Sequence, residues 1–528
     1  MRFFNTEGPV NCQYHYCLPP LDRIGLDELL TLIERQKYFL LHAPRQTGKT
    51  TYLLALTEYL NQGGRYQAVY ANLEDVQAAH EDVEAGMKAA VQLIARRAAQ
   101  YSPDSEAEQL AQAVLRQQSG YVALGAFLTA WCKRSPKPVV LLLDEVDSLI
   151  GDTLISLLRQ LRSGYDTRPA LFPQSVMLCG VRDIQDYRIH SSIEKAIITG
   201  GSAFNIKAKS LRLGDFNQEE IFLLLGQHEQ ETGQPFTPEA LALIWQFTNG
   251  QPWLVNALAY EACFEMKVGR IRTQPITAEL IQEAKERLIL RRVTHLHQLS
   301  DKLKEPRVQR VIEPMLRGDE LTPDISEDDV QYTLDLGLVR RGPNGLEVAN
   351  RIYAEVIPRE LTVVQQIKLE TIERPAWYIE ADGQLNMPKL LAAFQQFFRE
   401  NSEFWLERYE YREAGPHLLL QAFLQRIVNG GGRVDREYGL GRRRTDLLVI
   451  WPHAGGVQRV VIEIKLLRKA PDAILRESLA QTADYADKVG ATDAHLLLFD
   501  IRPNRPWDER IFHRQESHQG RTITVWGM

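Results

Sequence analysis

The sequence predicts a multidomain α/β protein. Its 528 residues exceed the length that one hydrophobic core usually organises. In the first part of the chain, short apolar runs alternate with helical segments, which is the pattern of a parallel sheet covered by helices. Near the end, a helical pattern is followed by alternating strands, which indicates a second α/β unit.

Composition indicates an ordinary globular chain with 44% hydrophobic and 25% charged residues. The net charge of −6 means that contact with nucleic acid must come from a local basic patch. The first ten residues lack the apolar core of a signal peptide, and no apolar stretch has membrane-spanning length. Five cysteines make a disulfide framework improbable in a chain this long, so we expect a cytoplasmic protein with no membrane partner.

Cys12, His15 and Cys17 lie close enough together to suggest zinc. A second pair of ligands does not follow at finger-like spacing. A structural or incidental role is therefore the prediction for these residues.

The segment A-P-R-Q-T-G-K-T at 43–50 lies between a short buried strand at 38–42 and a helix at 51–60. This strand-loop-helix context is the one that a phosphate-binding loop needs, since loop and helix N–H groups can surround phosphate oxygens. Lys49 would reach the β and γ oxygens, and the Thr50 hydroxyl would hold Mg²⁺. The predicted nucleotide contacts are Gly48, Lys49, Thr50 and Thr51.

The apolar run at 139–143 ends in Asp144 and Glu145, as in a buried parallel strand that delivers carboxylates at its carboxyl end. It resembles a Walker B motif. Asp144 would then bind Mg²⁺ through water, and Glu145 would polarise the attacking water as general base. Alternatively, both carboxylates cap the following helix. Another strand is predicted between the two motifs, at 67–72.

The segment T-N-G-Q-P-W-L at 248–254 is by itself a junction between two helices. Together with the preceding motifs, it resembles the G-x-P element of STAND-type and archaeal-type AAA-like ATPases. That resemblance implies ATP and Mg²⁺ as cofactors, an ATPase core at 1–210 and a helical lid at 211–290. It also allows a homo-oligomer through the ATPase core.

In such ATPases the strand at 175–181 would carry a sensor of the γ-phosphate at its end. Arg182 is the candidate sensor, with a structural salt bridge as the equal alternative. An arginine finger is also expected between this strand and the Walker B strand. The sequence does not choose among Arg159, Arg162 and Arg168.

A winged-helix domain is predicted at 291–365, from three helices followed by two short strands around P-N-G. Its third helix, 326–336, has no Lys or Arg, whereas a helix in the major groove of DNA needs positive charge. We therefore predict that this helix packs against protein. A helical connector follows at 366–410. The carboxylates of the third helix are Glu327, Asp328, Asp329 and Asp335.

The last segment, 411–528, combines carboxylates with a lysine on neighbouring strands. Asp446 opens one strand, and Glu463 and Lys465 lie two positions apart on the next, so strand alternation places the latter pair on one face. Two carboxylates and a backbone carbonyl can hold a divalent cation, and Lys465 can serve the water or the phosphate. The strands are predicted at 433–438, 445–450 and 457–466, after a helix at 416–428.

This arrangement resembles the PD-(D/E)XK nuclease superfamily. Gln481 and Tyr485 resemble the Q-x-x-x-Y element of its RecB-like members, and Glu413 is a candidate extra carboxylate, with Glu437 competing for that role. The resemblance implies Mg²⁺, or alternatively Mn²⁺, at the nuclease site and nucleic acid, with DNA expected, as partner. Nearby basic residues suit phosphate contacts: Arg433, Arg436, Arg442, Arg443, Arg444, Arg468 and Lys469.

The combined prediction is an ATP-hydrolysing protein coupled to a metal-dependent endonuclease, an architecture that often implies defence or mobile-element biology. One alternative is a STAND-like signalling switch whose nuclease fold is catalytically degenerate. A second alternative is an ATP-driven motor that tracks along DNA.

Overall fold

The chain divides into two compact units. Unit 1 comprises Met1–Gln298 with Pro323–Ile352, and unit 2 comprises Leu299–Thr322 with Tyr353–Met528. The computed structural model describes residues 1–102, 106–183, 188–191, 196–199, 204–291, 299, 301–317, 325–342, 345–361, 378–408, 420, 423–424, 432–440, 443–467, 471–500 and 506–528.

Unit 1 contains a five-stranded sheet in the order β2-β3-β4-β1-β7, and all neighbouring strands are parallel. Strand β4 lies between β1, which precedes the phosphate loop, and β3, which ends in Asp144. The predicted strands at 38–42 and 67–72 are confirmed. The strands of unit 1 are β1 Tyr38–His42, β2 Gln67–Asn72, β3 Val139–Asp144, β4 Ser175–Gly180, β5 Arg188–Ser191, β6 Ala196–Thr199 and β7 Lys207–Arg212; β5 and β6 pair separately.

Apolar residues cover both faces of this sheet, which explains the uninterrupted apolar runs in the sequence. Leu40 and Leu141 belong to the core on one face, and Leu41 and Leu142 belong to the core on the other. The covering helices are α1 Leu26–Glu34, α2 Lys49–Gln62, α3 Val83–Tyr101, α4 Ala107–Gln117, α5 Gly120–Arg134 and α6 Gly151–Ser163, with short 3₁₀ turns at Pro20–Arg23, Glu74–Ala79, Val146–Ser148 and Tyr165–Thr167.

The segment predicted as a lid contains four helices whose starts are set by side-chain caps. The Asn217 side chain accepts from the backbone of Glu220 while the Glu220 side chain accepts from the backbone of Asn217, which is a capping box. Thr237 and Thr277 cap the second and fourth helices. The helices are α7 Gln218–Thr232, α8 Pro238–Thr248, α9 Pro252–Tyr260, which continues in a π turn at Glu261–Glu265, and α10 Ala278–Leu290.

Gly250 in the loop between α8 and α9 has a φ of 83°, and a Cβ there would lie 1.8 Å from the Phe216 carbonyl oxygen. We expect Gly250→Ala to lower the free energy of unfolding by about 1 kcal/mol or more, because both backbone strain and a clash oppose it. The control is Gly226→Ala in α7, where a Cβ would meet no atom within 4 Å. Alanine there should raise stability by roughly 0.5–1 kcal/mol. Urea denaturation of both variants checks this, and changes of the same sign would contradict it.

The N-terminal segment is closed by a disulfide between Cys12 and Cys17. The cysteine count did not predict this bond. The disulfide agrees with a structural role for Cys12 and Cys17, and it leaves neither sulfur as a thiolate ligand for zinc. The backbones of Phe3 and His15 form a parallel β-bridge next to this disulfide in the sequence. Cys132, Cys179 and Cys263 are buried and free.

The segment predicted as a winged helix is divided between the units. The third predicted helix and the hairpin lie in unit 1, whereas the helix Pro306–Arg317 and nearly all of the helix Arg351–Leu361 lie in unit 2. The Ser326 side chain caps the third helix, and three carboxylates fill the first turn, where the helix dipole favours negative charge. The elements are α11 Pro306–Arg317, α12 Glu327–Asp335, β8 Val339–Gly342, β9 Gly345–Val348 and α13 Arg351–Leu361.

Unit 2 contains a six-stranded sheet in the order β10-β11-β12-β13-β15-β14. β12, β13 and β15 are parallel, whereas the outer pairs are antiparallel. The three strands predicted near 433–466 are confirmed with longer bounds; the helix predicted at 416–428 lies almost entirely outside the described residues. The elements are α14 Met387–Arg408, β10 Arg433–Leu440, β11 Arg443–His453, β12 Gly456–Leu467, α15 Pro471–Val489, β13 Asp493–Asp500, α16 Trp507–Arg510, β14 Phe512–His518 and β15 Arg521–Gly527.

Two cores enclose the unit 2 sheet. Leu447, Ile462 and Ile464 pack into the core on the α14 side. Leu448 and Val461 pack into the core on the α15 side. Within the described parts of both units, no helix combines the length and apolarity needed to cross a bilayer.

Candidate nucleotide and metal sites

The phosphate loop leads directly into α2, which begins at Lys49 and so starts two residues before the predicted position. Gly48 precedes it with a φ of 95°, a conformation that a residue with a Cβ rarely adopts. Lys49 and Thr50 therefore occupy the first helical turn, where backbone N–H groups have no partner within the helix. An anion at this position would meet N–H groups and the positive end of the helix dipole.

Lys49 is held over its own loop. Its side chain is 5% exposed, and its Nζ donates to the carbonyl oxygens of Ala43 and Pro44, each at 3.0 Å. This contact keeps the ammonium group beside the loop N–H groups. The charge is thus already located where phosphate oxygens are predicted to bind.

Thr50 and Asp144 are joined by a hydrogen bond. The Thr50 hydroxyl donates to Asp144 Oδ2 at 2.8 Å, and the Tyr70 hydroxyl donates to the same oxygen at 3.1 Å. The Glu145 backbone N–H donates to Asp144 Oδ1 at 3.0 Å, and the Asp144 side chain is fully buried. These hard oxygen donors fit Mg²⁺, which proteins usually bind through few side chains together with phosphate and water.

Glu145 follows β3 in the left-handed region, with φ of 53° and ψ of 41°. Burial and, next, the nearby Asp147 carboxylate raise the pKa of Glu145 above its usual value. A raised pKa makes this carboxylate a better proton acceptor than an exposed glutamate. Glu145 therefore has both a strained backbone conformation and a side chain with a perturbed pKa, two features that concentrate at functional sites.

Arg182, the candidate sensor, is buried and paired with α12. Its Nε donates to Asp335 Oδ2 at 3.2 Å, and its guanidinium lies 3.5 Å from Asp328 Oδ1 and 4.9 Å from the centre of the Tyr332 ring. The ion pair that the sequence left as an alternative is therefore present. A role toward the γ-phosphate stays a prediction.

The three candidate arginine fingers differ in their surroundings. Arg159 and Arg162 are exposed on α6. The Arg168 guanidinium instead donates to the carbonyls of Tyr165 and Gln36 and stacks on the Tyr165 ring, 3.4 Å from its centre. These contacts give Arg168 a structural role and leave the two exposed arginines as candidates.

The N-terminal segment is a part of the nucleotide site that the sequence argument missed. Arg23 donates to the carbonyl of Thr47 at 2.5 Å and to that of Gly214, and the Val10 N–H donates to the Thr51 hydroxyl at 3.0 Å. Thr51, predicted to contact nucleotide, thus also holds this segment. No local pattern could indicate these contacts, since they join residues far apart in the chain.

Glu463 and Lys465 lie on one face of β12, as predicted. Glu463 is 1% exposed, and Lys465 Nζ lies 2.6 Å from its Oε1. Val461, two positions earlier, belongs to the core under α15, and Ile462 belongs to the opposite core. The carboxylate and the ammonium group are therefore on the α15 side.

Gln481 and Tyr485 also belong to that side. Gln481 Nε2 donates to the Tyr485 hydroxyl at 3.3 Å along α15. Tyr485 is buried in the same core as Leu448 and Val461. The helix predicted to flank the catalytic strand is thus packed on the face that carries Glu463.

Asp446 lies in β11, directly before Leu447, whose backbone pairs with Ile462. Its position in the sheet is therefore beside Glu463, but its side chain lies outside the described part of the structure, as does that of Glu437. Glu413 lies wholly outside it. Among the side chains that are described, no group of three or more His, Cys, Asp or Glu is arranged to hold a metal ion.

The basic residues predicted around this site are only partly described. Arg433 is half-buried at the start of β10. Arg436, Arg443 and Arg444 have described backbones only, and Arg442, Arg468 and Lys469 lie outside the described residues.

No family model matches the chain, and no curated protein matches it. Solved structures with a related arrangement include a Walker-type ATPase of Pyrococcus abyssi, with 13% identity, 67% of this chain and 99% of that chain covered, and a TM-score of 0.45. A RuvB variant of Thermotoga maritima is 13% identical, and the match covers 62% of this chain and 91% of the RuvB chain with a TM-score of 0.31. Cdc6p of Pyrobaculum aerophilum is 16% identical, and the match covers 65% of this chain and 93% of the Cdc6p chain with a TM-score of 0.34.

The strand order and loop geometry of unit 1 define its fold independently of those likenesses. A parallel sheet carries a phosphate loop after β1, an Asp-Glu pair after β3 and an inserted β4 between them. This is the fold of P-loop NTPases with an inserted strand.

Proposed function

We propose that the chain hydrolyses ATP in unit 1 and cleaves nucleic acid, with DNA as the expected substrate, at a metal site in unit 2. The hydrogen bond between Thr50 and Asp144 carries the ATPase part, because it joins the phosphate loop to the Asp-Glu pair. The Glu463–Lys465 pair beneath α15 supports the nuclease part.

In unit 1, Lys49 would neutralise the β and γ oxygens while the loop N–H groups orient them. Thr50 and Asp144 would hold Mg²⁺, which neutralises phosphate charge when bound. Glu145 would orient the attacking water and accept its proton. Arg159 or Arg162 would supply an arginine finger across the interface of a homo-oligomer, as their exposure on α6 permits.

In unit 2, Glu463 and Asp446 would hold Mg²⁺ or Mn²⁺, with Glu413 as a further candidate ligand. Such a cation supplies an activated water and charge neutralisation. Lys465 cannot be a cation ligand while protonated, but it can orient water or stabilise the phosphate. Gln481 and Tyr485 would position the substrate from α15.

The test is an assay of ATP hydrolysis and of the cleavage of plasmid DNA, single-stranded DNA and RNA by the full chain. Each reaction is run with and without ATP, Mg²⁺ and Mn²⁺. We expect Mg²⁺-dependent ATP turnover that Lys49→Ala removes, and cation-dependent nicking of DNA. Turnover that DNA stimulates strongly, without cleavage, would favour the DNA-tracking motor instead.

A nucleotide-controlled switch is the second candidate, and the Arg182–Asp335 pair favours it. If Arg182 senses the γ-phosphate, α12 and the phosphate compete for one guanidinium group. Nucleotide binding would then be linked to the release of α12 from Arg182. Such a linkage requires that ATP interact differently with the two states.

We expect Asp335→Asn to raise the apparent affinity for ATP about fivefold or more, since coupling of this kind typically amounts to ~1–3 kcal/mol. DNA affinity should be unchanged, because α12 is predicted to pack against protein. The control is Glu327→Gln, an equal loss of charge at an exposed position of the same helix. Fluorescence titration with ATP and with DNA checks both, after thermal denaturation has confirmed folding. An unchanged ATP affinity, or a large sequence-dependent change in DNA affinity, would contradict the switch.

A further inference from the structure

A cavity lies beside the phosphate loop within unit 1. It is lined by Gly48 of the loop and by Thr51 in the first turn of α2, so it lies next to the position where the phosphates of a nucleotide would bind. Its other walls come from the N-terminal segment and from the lid. Prominent among those wall residues are Thr6, Val10, Phe216, Trp253 and Asn256.

The aromatic walls are fixed in place by polar contacts. The Trp253 indole N–H donates to the Thr6 carbonyl oxygen at 2.8 Å, which joins the lid to the N-terminal segment. The Arg23 guanidinium lies 4.7 Å from the centre of the Phe216 ring. The cavity therefore has the flat apolar surfaces and ordered rim typical of a preformed small-molecule site.

Asn256 provides a polar group in this cavity whose orientation can be assigned. The side chain is 7% exposed, and its Nδ2 donates to the Pro252 carbonyl oxygen at 2.8 Å, one turn earlier in α9. A carbonyl oxygen only accepts, so the amide group cannot be reversed without losing this bond. The Asn256 Oδ1 is consequently a buried acceptor, and it has no hydrogen-bond partner among the described residues.

A buried acceptor without a donor is costly, so a ligand group that donates a hydrogen bond to Asn256 Oδ1 would be favoured in this cavity. We propose that Asn256 determines the base specificity of the nucleotide site, by accepting a hydrogen bond from the 6-amino group of adenine. This inference rests on the proposed binding of nucleotide at the phosphate loop. Guanine presents a carbonyl oxygen at the same place, so two acceptors would face each other and neither would be satisfied.

The experiment compares the binding of ATP, GTP and purine riboside triphosphate to the full chain by isothermal calorimetry with Mg²⁺. Purine riboside triphosphate differs from ATP only in lacking the 6-amino group. We expect wild type to bind ATP about tenfold more tightly than this analogue, and GTP more weakly still. Asn256→Leu should bind ATP and the analogue equally.

Two further variants separate base selection from folding. Asn61→Leu is the matched control, since the Asn61 amide bonds to the Ala68 backbone and does not line the cavity. It should keep the wild-type ratio of affinities. Asn256→Ala, which removes the acceptor without adding volume or charge, should also bind ATP and the analogue equally, in case the leucine variant does not fold.

Each outcome decides between the two proposals. Equal binding of ATP and the analogue by wild type, or a preference for GTP, would overturn the role of Asn256. Nucleotide hydrolysis in unit 1 would still be proposed, but without selection for adenine. The absence of binding by any of the three nucleotides to folded wild type would overturn both. Lys49→Ala should weaken all three alike, because it acts on the phosphates.

Discussion

Glu463→Gln is expected to remove metal-dependent cleavage by unit 2. The carboxylate lies buried on the α15 face, and an amide of the same shape supplies no negative charge to a divalent cation. We expect a loss of at least about a hundredfold, since even changes to outer partners of a metal site cost roughly 10–100-fold. Asp446→Asn should have the same effect if both carboxylates share one cation.

Lys465→Met should act differently, because Lys465 is predicted to serve the water or the phosphate. We expect it to keep cation affinity and lose about 10²–10³ in rate, the usual cost of one stabilising donor. Glu516→Gln is the control, since Glu516 lies on β14 of the same sheet and pairs with Arg514 at 2.9 Å. Unit 1 should hydrolyse ATP normally in all four variants.

The measurements are Mn²⁺ binding by calorimetry and the nicking of plasmid DNA over time. Undiminished nicking by Glu463→Gln would exclude this site as the nuclease. If no protein, wild type included, cleaves DNA or RNA with any cation or with ATP, the degenerate nuclease fold of the signalling-switch alternative is favoured.

Glu145→Gln is expected to bind ATP with normal affinity and to hydrolyse it about 10²–10⁴-fold more slowly, because the amide cannot accept a proton from water. Single-turnover hydrolysis, together with nucleotide titration, separates the two effects. Equal turnover by wild type and Glu145→Gln would remove Glu145 from the role of base.

The pH dependence of turnover provides a second readout for Glu145. The deprotonated carboxylate is the active form, so turnover is lost as the pH falls through its pKa. Burial, followed by the charge of Asp147, raises that pKa, so the loss should begin at a higher pH than for an exposed glutamate. Asp147→Asn removes one of these causes and should move the acid limb to lower pH; an unchanged limb would contradict this assignment.

The elements that carry the phosphate site were predictable from the sequence. The strands at 38–42 and 67–72 were predicted with the observed bounds, and the strands ending near Asp144 and Arg182 to within one residue. Such elements arise from patterns over a few residues: continuous apolar runs for buried strands and a glycine-rich loop before a helix. The shared face of Glu463 and Lys465 followed from strand alternation for the same reason.

Tertiary structure decided which distant residues meet. The sequence left Arg182 between a sensor and a salt bridge, and only the packing of α12 brought Asp335 to it. The attachment of Val10 to Thr51 and the hydrogen bond from Trp253 to Thr6 were likewise beyond sequence patterns. Local periodicity depends on neighbours within about four residues. These contacts depend instead on which distant segments pack together, and on burial that no single segment determines.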